Sequence, residues 1–239
     1  MKIEVFADPD MAAQAGSRFV AAEARSAVAE RGKFTVAFSG GHTPWLMLRA
    51  LADEDVPWEK VHIFQVDERA APAGDPDRNF THLRESLLDR APVPPANVHA
   101  MPVEEQDLDA AAAQYVSTLA SIAGSPPVLD LVHLGLGPDG HTASLVPGDP
   151  VLEIVSADAA VTGGYQGRRR LTLTYPVLNR ARRILWLVTG NDKAGMLVRL
   201  RKGDPSIPAG RVRQDAATLI ASREAAEQPG TSAGVEAKT

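Results

Sequence analysis

Cysteine is absent from this sequence. That removes disulfides, thiolate nucleophiles and cysteine-ligated metals from consideration. Long apolar runs are absent as well. Nothing approaches the roughly 20 residues a helix needs to cross a bilayer, and "KIEVFADPD" after Met1 has no apolar signal-peptide core. A cytoplasmic protein with no membrane partner is the expectation. An excess of positive charge is missing too: 25 Lys and Arg stand against 30 Asp and Glu, a formal net charge of −5. That balance gives no global field to hold a nucleic-acid backbone, although a small anionic substrate needs only a few local cations.

Metal and nucleotide signatures are equally thin. His42, His62, His82, His99 and His133 show no H-E-x-x-H spacing, so no zinc site is expected. "DPDRNF" looks like the start of a calcium loop, but Phe80 replaces the glycine and the final glutamate is missing. "SGGHTP" lacks the glycine spacing and Lys-Ser/Thr pair of a Walker loop. Gly230-Thr-Ser232-Ala-Gly234 spells G-x-S-x-G, yet it lies in a small, polar tail without strand or helix flanks.

What is present is 44% hydrophobic and 23% charged residues, the balance of a soluble globular domain with a core that needs no staples. No repeat or linker divides the chain. Residues 1–224 are expected to form one domain and 225–239 a disordered tail. Four apolar runs, "FTVAF", "VHIFQV", "LDLVHLGLG" and "RILWLVTG", are each followed by a loop and a helical pattern. Strands alternating with helices predict an α/β fold with a mainly parallel sheet covered on both faces. His62 and His133 fall inside strands, as core or edge residues. "AVTGGYQGRRRLTLTYPVL" predicts two more strands, paired antiparallel. Helices are predicted over Met11–Arg31, started by Asp8 or Asp10 and stopped by Gly32, and over Glu104–Ala123; shorter ones follow at Pro44–Ala52, Asn79–Arg90 and Asn191–Arg201.

In an open α/β sheet the ligand crevice lies beyond the carboxyl ends of the strands. The four strand ends here carry Ser39-Gly40-Gly41, Asp67-Glu68-Arg69, Gly135 to His141, and Thr189-Gly190 with Lys193. They should converge on one edge. Each segment has two readings. "SGGHTP" can offer free N–H groups at a helix start to a phosphate, with Ser39 and Thr43 as hydroxyl donors. It can equally be a tight turn with Thr43 as the helix cap. Arg69 can grip phosphate or carboxylate bidentately, or form a surface ion pair. Lys193 is a solvated first-turn lysine, or a cation whose conflict with the helix dipole an anionic ligand resolves.

Gly135-Leu-Gly137-Pro-Asp-Gly140 matches the G-x-G-x-x-G fingerprint of dinucleotide folds. Asp139 would put a negative charge where a pyrophosphate must sit, and Pro147-Gly148-Asp149-Pro150 cuts short the helix that a βαβ unit requires. A loop presenting Asp139 and His141 is the better reading, with His141 as a neutral base and Asp139 orienting it. The alternative is a capping aspartate and an incidental histidine.

Taken in order, "SGGHTP", "VDER" with "DPDRNF", "GLGPDGHTASLVP", "RLTLTYPVLN" and "VTGNDKAGMLVRL" resemble the glucosamine-6-phosphate deaminase/6-phosphogluconolactonase family, on its lactonase side, from about Ile3 to Ile220. The resemblance implies a Rossmann-like, deaminase/ribose-5-phosphate isomerase-type sheet with additional strands, and no metal or nucleotide cofactor. It implies hydrolysis of 6-phospho-D-glucono-1,5-lactone in the oxidative pentose phosphate pathway. His141 would activate water, supported by Asp139, with Asp67 in the same pocket. Ser39, Gly40, Gly41, His42, Thr43, Arg69, Lys193 and Arg170 would hold the phosphate. Backbone N–H groups of the Gly135–Gly140 loop are expected to meet the oxyanion. Three positions depart from the family pattern: His42 for Ser or Arg, Arg78 for Ser, and Gly210 for Ser. The rivals are an amino-sugar phosphate deaminase or isomerase on the same fold, and a non-catalytic sugar-phosphate-binding module. The deaminases carry an acid shortly after the histidine, where "HTASLVPG" has none, and favour Tyr in place of Arg69. Sensor proteins of this fold add a basic DNA-binding domain, for which the residues after Ile220 leave no room. The sequence sets no oligomeric state.

Overall fold

A computed structural model describes residues 1–227. In chain order the elements are β1 (Lys2–Phe6), α1 (Pro9–Arg31), β2 (Phe34–Phe38), α2 (His42–Ala52), β3 (Val61–Gln65), β4 (Asp67–Arg69), α3 (Asn79–Leu83), β5 (Val98–His99), α4 (Leu108–Ala123), β6 (Leu131–Leu134), β7 (Ala159–Val161), β8 (Arg170–Leu173), α5 (Tyr175–Arg180), β9 (Arg183–Val188), α6 (Ala194–Arg201), β10 (Ala217–Ser222) and α7 (Arg223–Ala226). Seven strands form a parallel sheet in the order β1-β10-β9-β6-β2-β3-β5. Three more, β4-β8-β7, form a small antiparallel sheet.

The continuous apolar runs are explained by burial on both faces. Along β2, Val36 and Phe38 pack with Leu48 and Leu185, whereas Ala37 between them packs with Phe64 and Trp186 on the opposite face. His133 in β6 is fully buried. The antiparallel pair expected in the second half is β7 with β8.

Helix boundaries follow local chemistry. Asp8 caps α1 by accepting from Met11 N at 2.8 Å, and Gly32 ends it in the left-handed region at φ 76°. The helix α4 starts at Leu108 rather than Glu104, because the Asp107 carboxylate accepts from Asp109 N and Ala110 N at 3.0 Å and so fixes the first turn. The helix predicted over Asn79–Arg90 changes to a wider turn over Arg84–Leu88. At the other end of the chain, the expected boundary after residue 224 falls inside α7. Ala225 packs into the core there, so that the ordered chain runs past the boundary. Residues 228–239, with the G-x-S-x-G sequence and most of the expected tail, lie outside the described residues. Among the described residues no helix is long and apolar enough to cross a membrane.

Candidate active site

The topology fixes where a ligand sits. From β2 the chain moves outward through β3 to β5; from β6 it moves the other way through β9 to β10. The winding therefore reverses between β2 and β6, and the crevice opens beyond their carboxyl ends. Ser39 to Gly41 follow β2, and Gly135 to His141 follow β6. Between them lies a cleft of about 310 Å³, lined by Ser39, Gly40, Gly41, His42, Thr43, Asp67, Arg69, His141, Arg170 and Lys193. The structure thus gathers every anticipated residue but Asp139, which reaches the cleft only through His141.

At one end is a hydrogen-bonded dyad. His141 Nδ1 lies 2.5 Å from Asp139 Oδ1, and the same oxygen accepts from His141 N at 3.1 Å. The imidazole is held by the nitrogen that faces Asp139, leaving Nε2 as the nitrogen without a hydrogen-bond partner among the described residues. Burial pushes the Asp139 carboxyl up, but the backbone N–H, charge and side chain of His141 outweigh it and leave the group below its ordinary value. The Tyr165 ring stands edge-on to the imidazole at 5.7 Å, with its hydroxyl 3.5 Å from Asp139 Oδ2. Burial and the Asp139 charge both raise the Tyr165 hydroxyl.

The glycines of the fingerprint have a different use here. A Cβ on Gly137 would sit 2.1 Å from His141 Nδ1, so Gly137 makes the space the imidazole occupies. Gly140 takes φ 84°, the left-handed turn that brings the chain back under the ring. The loop's expected role at the oxyanion is corrected in part. Gly137 N donates to His141 O at 2.8 Å and Gly140 N to Gly137 O at 3.0 Å, so both groups already serve to close the turn.

Along the cleft wall, Asp67 is buried and engaged at both oxygens: Ser144 Oγ donates to Oδ2 at 2.5 Å and Asn79 Nδ2 lies 3.3 Å from Oδ1. Its position is fixed at both oxygens. Glu68, fully buried, accepts from the N–H groups of Asn79, Phe80 and Arg69 at 2.8 Å and so sets the start of α3. Asn79 in turn accepts from Arg69 NH1 at 2.6 Å, and Arg69 also donates to Asp77 O at 2.8 Å. A Cβ on Gly40 would lie 2.0 Å from Asn79 Oδ1. Arg69, Asn79 and the glycine loop are therefore in direct succession.

At the other end α2 begins. Its N-cap is Gly41, φ 127°, with no side-chain cap. The Thr43 cap reading is set aside, because Thr43 Oγ1 pairs instead with Thr189 Oγ1 at 2.6 Å. The first-turn N–H groups of this 11-residue helix remain for an anion. Ser39 Oγ donates to His133 O at 3.0 Å, so its proton is engaged within the sheet. Lys193 pairs with the exposed Asp192 at 3.1 Å.

The departures from the family pattern have local causes. Arg78 is buried against Glu68 and Glu104, beside a second hollow of about 630 Å³ that shares no residue with the cleft. A Cβ on Gly210 would fall 1.9 Å from Asp204 O, so the loop before it closes only around glycine. His42 is exposed at the cleft mouth. The carboxylates of "DPDRNF" are also accounted for: Asp75 and Asp77 pair with Arg168 at 3.2 and 3.0 Å. Sequence reasoning missed Asn79, Ser144 and Tyr165.

A family model described as glucosamine-6-phosphate isomerases/6-phosphogluconolactonase matches residues 7–221. A 6-phosphogluconolactonase of Mycobacterium tuberculosis is 39% identical over 239 residues, covering 94% of this chain and 96% of that one. A 6-phosphogluconolactonase of Synechocystis sp. is 45% identical over 172 residues, 70% of this chain and 71% of its own. The crystal structure of 6-phosphogluconolactonase from Thermotoga maritima superimposes with a TM-score of 0.82 at 29% identity, covering 92% of this chain and 98% of that one. This chain belongs to the glucosamine-6-phosphate isomerase/6-phosphogluconolactonase family.

Proposed function

We propose that this protein is a 6-phosphogluconolactonase that hydrolyses 6-phospho-D-glucono-1,5-lactone to 6-phospho-D-gluconate by His-activated water. The observation that carries the mechanism is the dyad in its cleft. Asp139 Oδ1 lies 2.5 Å from His141 Nδ1, while the ring lines the same cleft as the start of α2, Arg69 and Lys193. With the Nδ1 proton donated to Asp139, Nε2 carries the lone pair and is the base. The α2 N-terminus, Arg69 and Lys193 receive the phosphate, which places the lactone ring toward His141.

In the first step a water oxygen attacks the lactone carbonyl carbon. Nε2 takes a water proton and the carbonyl π electrons move to its oxygen. On collapse the bond from that carbon to the ring oxygen breaks, and the imidazolium returns its proton to the departing oxygen. The resulting carboxylic acid ionises in solution. The bond to be broken is an ester, so no covalent enzyme nucleophile is needed. Positioned base catalysis accounts for roughly 10²–10⁴-fold of the rate.

The test generates the lactone with glucose-6-phosphate dehydrogenase and follows its disappearance against the spontaneous rate. The protein should accelerate it, and His141→Ala should return it near background. An unchanged rate in that variant rejects His141 as the base.

A further inference from the structure

Arg170 does not join the phosphate end in its contacts. Its short hydrogen bond and its aromatic contact are on the dyad side: its Cζ lies 5.0 Å over the Tyr165 ring, whose edge faces His141, and NH2 donates to Gln166 Oε1 at 3.1 Å. Its NH1 is 3.5 Å from Ser144 Oγ and 4.0 Å from Asp67 Oδ2. The residue is only 5% exposed, yet among the described residues Nε has no partner and the NH1 contacts are long. Of five N–H donors, one makes a short hydrogen bond. A buried cation with unused donors at a cleft wall is expensive unless something arrives to accept them.

A second observation points the same way. Arg170 is the cross-strand partner of Arg69 in the β4–β8 pair. Like charges directly opposite destabilise a sheet. Arg69 is tied through Asn79 to the Gly40 loop, whereas Arg170 is tied through Tyr165 to His141. The two cations therefore stand side by side on the cleft wall but are tied to different neighbours. Two of the Gly135–Gly140 loop N–H groups expected at the developing charge, those of Gly137 and Gly140, are already engaged.

We infer that Arg170 is a catalytic residue that donates to the lactone carbonyl oxygen as it becomes an oxyanion, and that it does not bind the phosphate. This rests on the lactonase reading above. The carbonyl oxygen gains its charge from the π electrons displaced by water, and Arg170 holds that charge until the ring oxygen leaves. Removal of one preorganised oxyanion donor typically costs 10²–10³-fold in kcat.

The experiment compares wild type, Arg170→Lys, Arg170→Ala and Arg69→Ala on 6-phosphoglucono-lactone and on unphosphorylated glucono-δ-lactone. The dissociation constant of 6-phosphogluconate is measured calorimetrically for each. We expect kcat of Arg170→Ala to fall at least about 10²-fold. Its preference for the phosphorylated lactone and its product affinity should stay within about threefold of wild type. Guanidinium ion added at millimolar concentration should restore part of the Arg170→Ala rate. Arg69→Ala should show the reverse pattern. A raised KM with lost phosphate preference in Arg170→Ala would return this residue to the phosphate site and overturn the inference, as would an unchanged kcat. Should Arg170→Ala fail to fold, Arg170→Lys carries the comparison, since it keeps the charge and loses the planar donors. An inactive wild type would instead reject the lactonase reading itself.

Discussion

Replacing Asp139 by Asn is the sharpest perturbation of the dyad, because it preserves shape and removes charge. In the proposed mechanism Asp139 does two things: it fixes which imidazole nitrogen carries the proton, and it stabilises the positive charge His141 acquires when it takes the water proton. The second effect can be sized. Unit charges about 4 Å apart interact by about 4 kcal/mol at an effective dielectric of about 20. The Asp139 side chain is 36% exposed and that of His141 23%, so solvent screens the pair and about half, ~2 kcal/mol, is a fair expectation. At 1.36 kcal/mol per tenfold, kcat should fall about 30-fold. The tautomer effect adds to this if the Asn amide turns its NH2 toward Nδ1, so the total loss should lie between about 30- and 10³-fold. The KM should change little, because Asp139 touches His141 and does not line the cleft. The assay is steady-state hydrolysis of the lactone generated in situ, corrected for the spontaneous rate. A kcat within twofold of wild type would refute the orienting role. A raised KM with intact kcat would refute it differently, by placing Asp139 in substrate binding.

Three further outcomes follow from particular contacts. Gly137→Ala should abolish most of kcat while melting within a few degrees of wild type, because the added methyl displaces only the imidazole 2.1 Å away; a variant within threefold of wild-type kcat refutes the packing argument. Arg69→Ala should raise KM for the phosphorylated lactone at least about tenfold, the loss expected for a charge-assisted hydrogen bond, and an unchanged KM removes Arg69 from the phosphate site. The third concerns His133, whose imidazole is fully buried without partners and is pushed down to about 3 by that burial. Below about pH 6.5 the unfolded chain binds a proton that the folded chain refuses, so stability present above 6.5 is lost as pH falls toward 3. His133→Leu should therefore lose about 3 kcal/mol less than wild type between pH 7 and pH 4 in urea titrations, and parallel losses would reject this account.

Legibility in the sequence tracked how local each feature is. The runs that became β2, β3, β6 and β9 were plain because strands buried on both faces have no polar alternation to hide them. The edge strand β1 alternates Lys2 and Glu4 with apolar residues, of which Ile3 and Val5 are exposed, and β5 is two residues long, so neither gave a comparable signal. Local chemistry also marked His141 and Asp139, two residues apart, and the helix start after Gly41. What stayed hidden depends on distant partners. Ser144 is 77 residues from the Asp67 it fixes, and Tyr165 is 26 residues from Asp139. Neither carries any pattern of its own. Arg170 was visible as a cation, but its place opposite Arg69 and its contact with Tyr165 required the β4–β8 register.

The glycine fingerprint shows why spacing alone does not name a ligand. In a dinucleotide site the glycines let a pyrophosphate approach backbone N–H groups at a helix start. Here the same spacing stands at the end of β6, but Gly137 N and Gly140 N turn inward to close the loop, and the cleared space is filled by the protein's own imidazole. The helix start proposed to receive the anion lies on the neighbouring strand instead, where α2 follows β2 without a capping side chain. In the proposed function the two adjacent strands at the switch point divide the work, one presenting the His141–Asp139 dyad and the other the uncapped start of α2. The separation between them is set by the sheet itself, since β2 and β6 are hydrogen-bonded neighbours through Val36 and Leu131. That spacing depends on backbone pairing rather than on flexible side chains. In the proposed mechanism a phosphate held at α2 presents its sugar to His141 in one register, which is the condition for base catalysis.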